Sequence, residues 1–150
     1  LLTLNAPAAQ GAVGNLKSGG KLSLPDMVIE SPMEVAGVVA GALDGEGLAK
    51  SGKILLQVMS EEKATGFATK LAPKGHLEIT DIGRDPWLVR SYEGSVTFKR
   101  GDASSLEVQP LDANGVALKG AAAGNAARIP LQPGTSYYLV TGKGEQAAPR

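Results

Sequence analysis

The run Gly94-Ser95-Val96-Thr97-Phe98-Lys99 decides the fold. In an extended chain Val96 and Phe98 fall on one side and Ser95, Thr97 and Lys99 on the other. One apolar face and one wet face is the pattern of an antiparallel sheet. Leu77-Glu78-Ile79-Thr80 alternates in the same way. Working outward, β-branched and apolar runs predict strands at Leu1 to Leu4, Lys21 to Leu24, Met27 to Glu30, Met33 to Ala40 and Lys53 to Ser60. Others are predicted at His76 to Asp81, Trp87 to Ser91, Ser95 to Lys99, Leu106 to Leu111, Ala127 to Leu131 and Ser136 to Thr141.

The connectors carry turn chemistry. Asp44-Gly45, Asp112-Ala113-Asn114-Gly115 and Pro133-Gly134 all place residues that tolerate tight turns between apolar runs. Helical spacing is scarce: Glu61 to Ala64 fits one helical turn, and Ala121 to Ala127 is tolerant but interrupted by glycine. Strands roughly 8–12 residues apart imply two packed sheets. The expectation is an all-β, antiparallel two-sheet β-sandwich, jelly-roll-like, with little or no helix. It should close near Thr141, leaving 142–150 as a frayed tail.

Composition narrows the function. The chain has 150 residues, enough for one domain with a core of its own. Lys and Arg number 15 and Asp and Glu 15, so no net field favours nucleic acid or anionic lipid. The longest apolar run, Val35 to Leu43, falls well short of the roughly 18 residues of a membrane-spanning helix. The absence of cysteine removes disulfides, thiolate chemistry and cysteine zinc sites. Leu1-Leu2-Thr3-Leu4 starts on a strand-like run with no initiator Met, and is expected to be the first strand of a domain cut from a larger protein.

Several phrases together resemble the C-terminal ancillary β-sandwich of bacterial glycoside hydrolases and glycoside hydrolase-like proteins. They are Ala6-Pro7-Ala8-Ala9-Gln10-Gly11, Gly19-Gly20-Lys21-Leu22, Ala42-Leu43-Asp44-Gly45-Glu46-Gly47-Leu48-Ala49-Lys50-Ser51, Ile54-Leu55-Leu56 and Thr65-Gly66. The likeness runs from residue 1 to about 66 and continues in outline to Val140. Ala6 stands where that family often has Thr, and Gly47 replaces a turn Pro. The resemblance implies a non-catalytic domain of a polysaccharide-degrading enzyme, secreted or periplasmic, with no catalytic residue of its own. Its partners would be a polysaccharide or the parent catalytic barrel.

The residues themselves offer little catalytic chemistry. Glycoside hydrolysis needs two carboxyls facing each other, about 5–5.5 Å apart for retention or about 6.5–9.5 Å for inversion. Glu61-Glu62 are neighbours and point to opposite faces in a strand; Asp81 and Asp85 flank Gly83-Arg84 in a loop and suit turn capping. His76 is the only histidine and lacks a Gly-x-Ser-x-Gly elbow. No cofactor is expected, and the weak metal candidate is calcium at Asp112 and Asn114. For sugar binding the candidates are Trp87, Tyr92 and Tyr138 as ring platforms, with Arg84, Asp85 and Arg90 at their edge; Tyr137 and Glu93 lie beside them. In the adjacent pair Tyr137-Tyr138, one ring must face the core.

Three functions remain open. An ancillary sandwich predicts an apolar surface patch of several hundred Å² where the barrel sat. A free-standing carbohydrate-binding module predicts an exposed Trp87. A protein-interaction or adhesion sandwich predicts association through an edge strand.

Overall fold

The computed structural model describes residues 1–121 and 124–142, so the expected tail lies outside the described residues beyond Gly142. The chain runs through β1 (Leu2–Ala6), β2 (Ala9–Gly14), a helical turn α1 (Leu16–Gly19), β3 (Lys21–Ser23), β4 (Met27–Glu30), β5 (Ala36–Ala42) and β6 (Lys53–Ser60). It continues with β7 (Glu62–Thr65), β8 (Ala68–Leu71), β9 (Leu77–Asp81) and β10 (Arg84–Val89). The last strands are β11 (Ser95–Phe98), β12 (Glu107–Leu111), β13 (Ile129–Pro130) and β14 (Tyr137–Thr141).

Two antiparallel sheets face each other, one of six strands in the order β1-β2-β5-β6-β14-β12 and one of four in the order β13-β11-β4-β3. Val38, Ala40, Ile54, Leu56, Val58, Tyr138 and Val140 point inward from the large sheet to meet Met27, Ile29, Val96, Phe98 and Ile129 from the small one. Each Val, Leu, Ile, Met or Phe among them contributes about 1.5–3 kcal/mol by leaving water. The predicted β-sandwich is therefore what forms, with Val96 and Phe98 buried as their alternation requires.

Polar clamps fix the sheets against each other. Gln10, buried on β2, donates from Nε2 to Asp26 Oδ2 at 2.6 Å and accepts the Asp26 amide at 2.9 Å. Asn15 caps α1 by accepting the Ser18 amide at 3.0 Å.

Two local expectations fail, and two strands appear that the sequence pattern did not predict. Glu61 to Ala64 is not helical: residues 62–65 are β7, whose cross-strand pairing with β10 sets Ala64 opposite Trp87 and leaves Ala64 buried. The unpredicted strands are Ala9–Gly14, which forms β2, and Ala68–Leu71, which forms β8. The strand expected from Met33 begins at Ala36, after the loop in which Ser31 Oγ bonds the Glu93 carbonyl and the Met33 amide.

The two sheets present different outer faces. The outer face of the four-stranded sheet is mixed, carrying Lys21, Ser23, Glu30 and Thr97 beside the buried Val28 and Ser95, with Glu30 paired to Lys21 at 3.6 Å and Arg128 at 3.9 Å. The outward side chains of the six-stranded sheet form three successive cross-strand rows without a charge. The first is Leu2, Val13, Gly37, Met59; the second Leu4, Gly11, Val39, Gln57, Tyr137, Leu111; the third Ala6, Ala9, Gly41, Leu55, Leu139, Gln109. Charge returns only in the end row, with Lys53 and Glu107 either side of Thr141.

Candidate functional site

Residues 61–90 leave the sandwich as a two-stranded arm. β7 pairs with β10 at its base and β8 with β9 at its tip, and Pro73–Gly75 turns the chain. Gly66 and Gly83, at φ 81° and 72°, bend the ribbon between base and tip. The Arg90 amide bonds the Glu61 carbonyl at 3.0 Å to close the root, and Thr65 Oγ1 bonds the Pro86 carbonyl at 2.6 Å. The Asp85–Pro86 peptide is cis.

At the tip the ribbon is amphipathic. Leu71 lies opposite Leu77 and Thr69 opposite Ile79 on one face, while Lys70 and Glu78 pair at 3.2 Å on the other. Leu71, Leu77, Ile79, Ile82, Trp87, Leu88 and Val89 are all exposed. This ribbon meets the sandwich beside a second apolar surface. There Val13, Val35, Gly37 and Met59 line a depression of about 200 Å³ at the arm-bearing end of the uncharged face. A Cβ on Gly37 would touch both Val13 and Met59 at 3.4 Å, so glycine keeps the floor of that depression low.

Only part of the expected sugar-binding set is brought together. Trp87 is 63% exposed on β10, with Arg84 and Asp85 on the same strand and Arg90 just beyond. Tyr92 and Tyr138 are corrections: both are core residues with no ring face open to a ligand. The Tyr138 hydroxyl accepts the Gln132 amide at 2.7 Å, and the Tyr92 hydroxyl bonds Ser136 Oγ at 2.8 Å. Tyr137 is the outward member of its pair, half-buried in the second uncharged row.

The acidic candidates serve the fold. Glu61 pairs with Lys63 at 2.7 Å, and that contact holds its carboxyl below the ordinary range. Asp81 accepts the Gly83 amide at 2.7 Å. Asp112 Oδ1 accepts the amides of Asn114 and Val116, both at 2.8 Å, which is hairpin-loop chemistry. Among the described residues no group of three or more His, Cys, Asp or Glu is placed to hold a metal ion. His76 sits exposed in the tip turn.

The phrase from Leu43 to Ser51 is a loop lock. Asp44 accepts Ser51 Oγ at 2.9 Å and the amides of Glu46 and Gly52 at 3.2 and 2.7 Å. Arg100 closes the other side, donating to the Leu48 and Ser51 carbonyls at 3.0 and 2.7 Å while forking onto Asp102. At Asp44 burial pushes the carboxyl up, but the bonds from Ser51, Glu46 and Gly52 outweigh it and the net shift is down. Asp102 is lowered chiefly by its bond from Arg100.

A carboxyl whose folded pKa is depressed stabilises the fold above its ordinary value of 3.8 and loses that contribution as pH falls through the lower folded value. Thermal melts should therefore be flat near neutrality and fall as the solution is acidified below pH 3.8. Asp44→Asn should make that acid decline shallower, and an unchanged acid slope would remove Asp44 from the account.

No protein-family model, curated protein or solved structure matches this chain.

Proposed function

We propose that this chain is a non-catalytic ancillary β-sandwich that packs against the catalytic barrel of a bacterial polysaccharide-degrading glycoside hydrolase. The three uncharged rows across the six-stranded sheet are the observation that supports it most. A sandwich face left in water normally alternates apolar-in with polar-out, as β11 of the smaller sheet does in Ser95-Val96-Thr97-Phe98. Leu2 is 71% exposed, and Leu4, Val13 and Met59 are each 44% exposed, on β1, β2 and β6, while on β14 and β12 the outward Leu139 and Leu111 are already buried. Contacts between domains of one chain bury about 600–1,500 Å², and a face of this kind is suited to one of them. Glycines at positions 11, 37 and 41 flatten the face, which fits a broad protein surface better than a small ligand. The choice of a barrel as partner rests on the phrases quoted above, and on this reading the parent protein is exported.

The test mixes the chain with the separately expressed catalytic barrel of its parent and measures association by calorimetry. Met59→Glu should leave the thermal melt nearly unchanged, within about 0.5 kcal/mol. It should weaken association roughly a hundredfold, because the carboxylate would be buried unpaired. Binding that survives both Met59→Glu and Val13→Glu would overturn the proposal.

Carbohydrate binding stands as a second reading, favoured by one observation: Trp87 is open to solvent beside Arg84 and Asp85. Retardation in a polysaccharide gel that disappears in Trp87→Ala supports it, and unchanged mobility in every polymer tried sinks it.

A further inference from the structure

We propose that the free edge of β1 joins two copies of this chain into one continuous sheet. An open edge displays unpaired amides and carbonyls, and proteins blunt such edges with charge, proline, bulges or short length. The other sheet edges here are blunted. β12 is crossed by bridges from Asn125 and Ala117, β13 is two residues long and ends in Pro130, and β3 is three residues long and opens on Lys21. Both ribbons of the arm carry charged residues along their strands. β1 has none of these devices: Leu2-Thr3-Leu4-Asn5-Ala6 is uncharged, free of proline and glycine, and in unbroken register with β2.

The direction of its hydrogen bonds follows from the turn. Pro7 and Ala8 form a two-residue hairpin loop closed by Ala6 opposite Ala9. The Ala8 carbonyl accepts the Ala42 amide at 2.8 Å, so even-numbered residues of the β2 side face β5 and the odd ones face β1. Leu2, Leu4 and Ala6 therefore spend their main-chain groups on β2, while those of Thr3 and Asn5 point to the open edge.

That strand is complementary to itself. Two copies related by a two-fold axis can place Leu4 opposite Leu4, with Thr3 of each copy opposite Asn5 of the other. Thr3 and Asn5 then form hydrogen-bonded pairs that exchange their amides and carbonyls twice over. In this register Leu2 lies opposite Ala6 of the second copy, so the uncharged rows of the two outer faces join without a break. The occupant is a second copy because the register satisfies the same two residues on both sides and adds no charge. The inference does not depend on the barrel reading, since it uses the edge of the sheet and not its face.

Sedimentation at rising concentration tests it. The mass should climb from 15.3 kDa towards twice that value. Thr3→Pro removes an amide that faces the open edge and leaves β1–β2 pairing intact, so it should hold the chain at monomer mass with an unchanged melt. Thr3→Lys should do the same by charge, and reads the result if the proline variant unfolds. Met59→Glu should still dimerise, which separates this edge from the docking face. A monomer at every soluble concentration overturns the proposal, as does a dimer that persists in folded Thr3→Pro and Thr3→Lys, or open-ended growth beyond the dimer.

Discussion

Tyr138→Ala is expected to cost about 3–5 kcal/mol, a large share of the roughly 5–15 kcal/mol that holds a domain of this kind together. Tyr138 is fully buried on β14, opposite Leu56 on β6 and Pro110 on β12. Truncation would empty the middle of the core where neighbours on both sides are held by sheet hydrogen bonds and cannot close the gap. Burial also pushes its hydroxyl above the ordinary tyrosine range, so it stays a neutral acceptor for the Gln132 amide. Tyr138→Phe separates the two contributions: it keeps the ring but strands that amide, at a cost of about 1–3 kcal/mol. Urea unfolding of the three proteins measures both. An alanine variant within about 1 kcal/mol of the parent would show the site collapsing freely, contrary to the packing described.

Gly94→Ala is expected to be the most damaging small change in the chain. Gly94 has φ 127°, a conformation that costs other residues on the order of 1–3 kcal/mol. Its Cβ would also overlap the Glu30 carbonyl oxygen and come within 2.9 Å of Ser31 Cα, both backbone atoms. Overpacking of that kind adds roughly 1–3 kcal/mol. The position is a junction, because the Gly94 carbonyl accepts the Leu131 amide at 2.9 Å and Ser31 Oγ bonds the adjacent Glu93 carbonyl at 2.7 Å. Gly115→Ala is the control: φ is 79°, but no atom lies within 4 Å of the added carbon. Its cost should be the backbone term alone, about 1–2 kcal/mol. Equal losses at the two glycines would mean that the overlap relaxes without penalty.

Alternation made the small sheet legible. Val96 and Phe98 alternate with polar residues because only one face of β11 is covered, and period two survives in the sequence. The large sheet was harder to read for the opposite reason. In Ala36-Gly37-Val38-Val39-Ala40-Gly41-Ala42 and Ile54-Leu55-Leu56-Gln57-Val58-Met59 both faces are apolar, so the pattern names a strand but not its inner side. That loss of alternation goes with the uncharged outer rows of the large sheet. β2 went unpredicted because Gly11 and Gly14 interrupt its apolar pattern. Gly11 lets the β5 backbone pass close by, since a Cβ there would lie 2.5 Å from the Val38 carbonyl oxygen and 2.8 Å from Val39 Cα. Glu61-Glu62-Lys63-Ala64 suited a helical turn locally, and cross-strand pairing with Leu88 and Val89 overrode it. Aromatic residue type alone nominated Tyr92 and Tyr138 for a surface role, and burial, which type does not encode, removed them.

The arm divides what selection can act upon. Of all the residues in β7 to β10, only Ala64 belongs to the buried set. Substitutions at Leu71, Leu77, Ile79 or Trp87 therefore meet almost no resistance from the folding equilibrium. Variation there is free to follow whatever the ribbon touches, while the strands before residue 61 and after residue 90 stay constrained by their common core. Related chains should diverge fastest between Glu61 and Arg90, and two such proteins could exchange that segment as a cassette without either sandwich registering the swap.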